Sequence, residues 1–177
     1  MEMASHPEPR TTLAPAFYNS QADIAYGLKA KPHINATSTI KIYALVIVCS
    51  LTTAVDILVI ESLRTQEVVA AIMRHSSRYG LPSSIRVDNG SNLVSLQSAQ
   101  FQTQDLDLSL SRQAGIRIDV SAAKAHESNG RVERKIRDIR KNLSTLMLES
   151  IRPITPLQWQ TALSLIAAQL NNIPLAA

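Results

Sequence analysis

Residues Ile40–Cys49, IKIYALVIVC, decide the fold. From Ile42 to Cys49 the run is apolar at successive positions and rich in β-branched side chains. A strand apolar on both faces belongs in the interior of a sheet that is covered on both sides. Ser50-Leu-Thr-Thr53 then reads as a turn, and Val55–Ile60 (VDILVI) is a second β-rich run. The two lie close enough to form an antiparallel hairpin.

Downstream, Thr65 has the chemistry of a helix N-cap, with Glu67 in the first turn near the positive end of the helix dipole. Val68, Val69, Ile72 and Met73 recur at helical spacing, and Gly80-Leu-Pro82 stops that helix. Ser84–Val87 is a short strand that runs into Asp88-Asn89-Gly90, a strong turn sequence. Residues 91–115 are polar and allow a helix flanked by loop. Gly115–Val120 alternates like a short edge strand. After Asn129-Gly130, the residues Val132, Ile136, Ile139, Leu143 and Leu146 form an apolar stripe at helical period. Thr155 followed by Pro156 opens a last helix, whose expected buried face is Trp159, Leu163, Ile166 and Leu170. Upstream of the hairpin, Phe17–Ile24 starts a strand that is expected to end near Asp23. Gly27 to Thr39 reads as loop, and residues 1–16 as a disordered lead-in. This order predicts an α/β domain over 17–177, a mixed sheet with helices on both faces.

Composition narrows the function. Hydrophobic residues are 45% of the chain and charged residues 18%, as in ordinary globular domains. The Ile42–Cys49 run is too short to span a bilayer, and Met1–Pro15 lacks the apolar block of a secretory signal, so no membrane partner is expected. Cys49, the single cysteine, excludes an internal disulfide and a cysteine-based zinc site, and fits a reducing compartment. Net charge is +4, concentrated between positions 124 and 141. There Lys124, Arg131, Arg134, Lys135, Arg137, Arg140 and Lys141 face only Glu127, Glu133 and Asp138, a local excess equal to that of the whole chain. A basic stripe on a balanced protein points to a polyanion; it equally fits a solvated helix face.

Three acids are candidates for chemistry. Asp88 ends a strand, where open α/β sheets place their sites, although Asp-Asn-Gly is also plain turn chemistry. Glu133 lies at the edge of the apolar stripe, with Arg137 and Arg140 following at i+4 and i+7; an ordinary Glu–Arg helix pair has the same spacing. Asp23 follows the first strand signal. Asp56, inside the second hairpin strand, competes with it.

These residues carry a resemblance. Tyr43–Leu63 (YALVIVCSLTTAVDILVIESL), Val87-Asp88-Asn89-Gly90-Ser91-Asn92, His126–Leu143 (HESNGRVERKIRDIRKNL), Leu157-Gln-Trp159 and Asn171-Asn172-Ile-Pro174 together resemble the integrase core of Pao/BEL-type LTR retrotransposons. The similarity runs from about Phe17 to the C-terminus, in order. It implies a ribonuclease H-like fold with a five-stranded mixed sheet and a D,D,E metal triad. By position the triad is Asp23, Asp88 and Glu133, holding two Mg²⁺ or Mn²⁺ ions. The implied reactions are DNA 3′-end processing and strand transfer, on double-stranded DNA, in the nucleus, by a homodimer or higher oligomer. Arg137 and Arg140 fall where integrases place DNA-contacting basic residues, and Arg131 and Lys135 join them as candidate DNA contacts.

The sequence departs from that family in places. The family follows its first Asp with Gly-Pro, whereas this chain reads Asp23-Ile-Ala-Tyr-Gly27. Asp88 and Glu133 are separated by 44 residues, longer than the retroviral interval, so an insertion is expected within 91–115. No His/Cys zinc module precedes residue 17, and no C-terminal DNA-binding module follows, so a core rather than a full integrase is expected. A catalytically inactive DNA-binding remnant is the alternative function; a host nuclease on the same fold is disfavoured by the NGRVER and Leu-Gln-Trp stretches.

The chemistry explains the residue types. Phosphodiester transfer needs an activated oxygen nucleophile and a neutralised leaving oxygen, which two hard cations supply. Mg²⁺ takes oxygen ligands and keeps waters, so three carboxylates suffice without His or Cys. Arginines on phosphates add affinity with little sequence choice. Elsewhere His75 is read as structural or exposed, Trp159 as core, Cys49 as a buried small hydrophobe, and His126 as a residue able to approach DNA.

Overall fold

Strand β2 (Ile40–Cys49) is buried on both sides, as its composition requires. The computed structural model describes residues 13–88, 103–121, 134–139, 141–142 and 154–172, and at Ala25, Tyr26, Asp88, 103–105, Gln113, Val120 and Ser121 the backbone alone. Residues 1–12 of the expected lead-in over 1–16, the Asn89-Gly90 turn, His126, Arg131, Glu133 and Arg140 lie outside the described residues. The other strands are β1 (Asn19–Ala30), β3 (Val55–Ile60), β4 (Ser84–Asp88) and β5 (Arg117–Ser121). Described helices are α1 (Thr65–Tyr79), α2 (Thr103–Ala114) and α3 (Pro156–Asn171), with further helical residues at 134–139 and 141–142.

The strands form one five-stranded sheet in the order β3-β2-β1-β4-β5. β2 pairs antiparallel with β1 and β3, while β4 is parallel to β1 and β5 parallel to β4. Leu45, Ile47 and Cys49 of β2 join Leu58 and Ile60 of β3 under α1 and α2, where Val68, Ile72, Leu106 and Leu110 cover them. The alternate residues Ile42, Ala44, Val46 and Val48 face Trp159, Leu163, Ile166 and Leu170 of α3. Those two cores on opposite faces are the layering that the apolar run predicted. Among the described residues no helix is long and apolar enough to cross a membrane.

Three boundaries differ from expectation. β1 does not end near Asp23 but continues to Ala30, with Ala30 paired to Ile40. Its apolar period breaks because Ile24 pairs with Leu45 and Tyr26 with Ala44, which leaves Ala25 as a one-residue bulge. Ala22 and Ile24 therefore serve the α1/α2 face, and Leu28 and Ala30 the α3 face. Gly27, read as a loop residue, sits in this strand against the side chain of Lys41. Finally, Arg64 rather than Thr65 is the N-cap of α1, without a side-chain cap bond.

At α3 the expected start is present in full: the Thr155 hydroxyl accepts from the Gln158 amide, and the Gln158 side chain accepts from the Thr155 N–H. α3 also closes the sheet edge. The Asn171 side-chain amide accepts from Val55 N–H at 2.7 Å and donates to Val55 C=O at 2.9 Å. Gln160 accepts from Val59 N–H at 2.7 Å and donates to Ile57 C=O at 2.9 Å. From α1, Arg74 donates to Val59 C=O. Side-chain amides thus stand where a sixth strand would otherwise pair. Replacing Gln160→Leu orphans two edge groups, and urea unfolding should show a loss of about 2 kcal/mol. Thr161→Ala, exposed on the same helix, should stay within about 0.5 kcal/mol of the parent.

Candidate functional site

Asp23 lies on β1, one residue before the bulge-flanking Ile24, and is half-buried. Its Oδ1 accepts from the Ile24 N–H at 2.8 Å. Strand alternation sets it apart from Ala22 and Ile24, which are in the α1/α2 core, and so puts it on the α3 face. The parallel register of β1 with β4 runs from Asn19↔Ser84 to Ala22↔Val87. Asp23 and Asp88 are the residues that follow the last recorded pair on each strand, so their backbones leave the paired stretch at the same level of the sheet. Asp88 in turn is in register with Ser121 of β5.

The helical residues 134–139 lie over that same α3 face, because Ile139 is fully buried in its core and Ile136 packs against it. Arg134 and Arg137 are exposed. Lys135 is half-buried, and its ammonium donates to the Leu170 carbonyl at 3.1 Å, an engagement with protein rather than solvent. Among the described residues no three His, Cys, Asp or Glu side chains come together in a group able to hold a metal. Asp23 and the neighbouring backbone position of Asp88 are the portion of the expected triad that the described residues contain.

Asp56 has another role. It is 3% exposed on β3, on the α1/α2 side of the sheet. Its Oδ2 lies 2.8 Å from His75 Nδ1, and its Oδ1 3.5 Å from an Arg78 guanidinium nitrogen. β3 and β4 are three strand spacings apart, roughly 14 Å. Asp56 thus lies on the wrong strand and the wrong face to share an ion with Asp88. His75 is fully buried; its ring meets Phe17 edge-on at 4.7 Å, and Tyr79 lies 5.1 Å away. Burial first, and then the Asp56 carboxylate, push the Tyr79 hydroxyl above its ordinary pKa. Local reading of the sequence did not find this cluster. The available signal was His75 falling on the stripe of Val68 and Ile72, at helical spacing.

Cys49 is buried, and its Sγ accepts from the Phe17 and Thr52 N–H groups. Trp159 is a core residue whose indole N–H donates to Lys29 C=O at 3.0 Å.

A mixed sheet in this order, with helices on both faces, is the ribonuclease H-like fold of retroviral integrase cores. Particular proteins show the likeness. The bovine immunodeficiency virus integrase catalytic core superposes with TM-score 0.60 and 22% identity over 91% of this chain and 88% of that one. The HTLV-2 integrase catalytic core, solved with magnesium in a dimeric form, gives 0.59 and 19% over 92% of each chain. A chain of the simian T-cell lymphotropic virus intasome, solved in complex with a PP2A regulatory subunit, gives 0.63 and 19% over 99% of this chain and 56% of that one. In sequence, the feline foamy virus Pro-Pol polyprotein is 26% identical over 109 residues, 62% of this chain and 8% of the polyprotein. The chain therefore spans a small fraction of that relative and about half of the intasome chain. No family model matches the sequence.

The two acids on opposite faces separate by experiment. Asp56→Ala leaves a buried imidazole without its partner and should cost about 3 kcal/mol in urea unfolding. Calorimetric titration of that variant should still show Mn²⁺ binding equal to the parent's. Loss of the Mn²⁺ heat would instead make Asp56 a ligand.

Proposed function

We propose that this chain is an integrase-type catalytic core that processes and joins DNA ends with divalent metal. The observation that supports the reading is the parallel register of β1 with β4, whose last pair Ala22↔Val87 is followed on the two strands by Asp23 and Asp88, on a fold shared with retroviral integrase cores. Two acids adjacent in a sheet repel unless a proton or a cation lies between them. In the proposed site Asp23, Asp88 and Glu133 hold Mg²⁺ or Mn²⁺, two ions in the full arrangement. Hard oxygen donors of this kind suit such ions, and magnesium is present in the HTLV-2 core. When bound, the ions would activate the attacking oxygen and neutralise the leaving one in an in-line displacement.

The residues of the chain then have distinct tasks. Glu133 precedes a helical segment that packs on the Asp23 face, which supports its inclusion in the site. Arg137, exposed on that segment, meets DNA phosphates, and Arg140 and Arg131 extend the same basic stretch. Their contribution is register on the duplex and affinity that falls with salt, with little sequence discrimination. The partner is double-stranded DNA, both the element's own ends and the target, and the working form is a dimer or higher oligomer. The setting is the nucleus.

Asp88→Asn and Asp23→Asn should each lower Mn²⁺ affinity at least about 10-fold in calorimetric titration, with folding intact. Strand transfer of a labelled duplex end should be lost in both. A wild-type chain that binds duplex DNA yet no Mn²⁺ would sink the catalytic reading and leave a DNA-binding remnant of a retroelement.

A further inference from the structure

The sequence of α3, PLQWQTALSLIAAQLN, contains no charged residue, and its last turn has no basic side chain. The C-terminal end of a helix exposes carbonyls without intrahelical partners and the negative end of the dipole. At α3 the Asn172 N–H takes the Ala168 and Gln169 carbonyls, at 3.1 and 3.2 Å. The Leu170 carbonyl receives the ammonium of Lys135, 35 residues earlier in the chain, at 3.1 Å. Lys135 therefore supplies from another helical segment the cation and the donor that α3 lacks. The nearby Arg134 and Arg137 are exposed, whereas Lys135 is half-buried next to Ile136, which packs on the α3 core.

We propose that Lys135 is a positioning residue, a C-terminal cap given to α3 from outside that helix, and not a DNA contact. The bond fixes the start of the 134–139 segment against α3, whose own Asn171 is tied to Val55 of β3. That linkage connects the segment following Glu133 to the frame of the sheet. The role in holding Glu133 in place rests on the proposed metal site; the cap itself does not.

Three variants test it: Lys135→Met, Lys135→Arg and Arg137→Met. Thermal unfolding should fall by about 2–4 °C in Lys135→Met, recover in Lys135→Arg, and stay unchanged in Arg137→Met. Binding to a short plain duplex DNA, measured across a salt series, should keep its slope in Lys135→Met. In Arg137→Met the slope should drop by about one phosphate contact. Mn²⁺ titration should show weaker binding in Lys135→Met and parent-like binding in Lys135→Arg. If Lys135→Met does not fold, the cap is supported, and the slope is read on Lys135→Gln, which has lost the charge. A slope reduced by about one in a variant that unfolds like the parent would overturn the proposal and return Lys135 to the DNA contacts. Should the wild-type chain bind neither duplex nor Mn²⁺, the proposed function fails, while the thermal comparison of Lys135→Met with Lys135→Arg still decides the cap.

Discussion

One extra residue in β1 sets which side of the sheet each half of the strand serves. Side chains alternate along a strand, so an uninterrupted β1 would send Ala22, Ile24, Leu28 and Ala30 to a single face. The bulge at Ala25 reverses that parity. The first half then fills the α1/α2 core, and the second half fills the core under α3. The strand can be long enough to span β2 from Cys49 back to Ile40 while contributing to both layers. Asp23 sits just before the reversal, on the face the first half leaves free of its own apolar side chains. Bulges re-aim side chains near sites in many sheets. Here the bulge lets a carboxylate occupy a strand whose neighbouring positions are core.

α3 answers a second demand of the same architecture. β3 is an edge strand, and its outward N–H and C=O groups need partners. Gln160 and Asn171 provide them from a helix, each donating and accepting as a peptide would. Amides can do this because each carries a donor and an acceptor on one group. That use removes two polar side chains from the helix surface. Trp159, Leu163, Ile166 and Leu170 bury the neighbouring stripe, and no charged residue lies on the helix to balance its dipole. The charge at its C-terminal end comes from Lys135.

The sequence made some of this legible. β2 could be read because burial on both faces leaves a continuous apolar run, which no loop or amphipathic helix of that length would carry. α3 could be read from Thr155, Pro156 and a regular stripe, all of them local signals. β1 could not be followed past Asp23, since a bulge breaks the period that identifies a strand, and Gly27 looks like a breaker. The Asp56–His75 pair was invisible because it joins residues 19 apart on different elements. In the sequence His75 is a polar residue within an apolar stripe. Lys135 reads with its basic neighbours because its bond to the Leu170 carbonyl joins residues 35 apart, which no local signal carries. Only the fold shows which oxygen it meets.

Asp23 and Asp56 illustrate how a fold assigns roles to acids of identical chemistry. Asp56 is buried where α1 brings an imidazole and a guanidinium to its two oxygens, so its charge is answered within the chain. A buried carboxylate without such partners would be costly. Asp23 is half-buried on the other face of the sheet, its Oδ1 accepts from the Ile24 N–H, and it follows the last β1–β4 pair as Asp88 does on β4. An arrangement that raises electrostatic cost within the protein gains by recruiting a cation from outside it, since the ion's favourable interaction with each carboxylate also removes their mutual repulsion. The metal dependence proposed for the chain rests on that placement of two acids, and under that proposal the stability of the sheet rises when the ion binds.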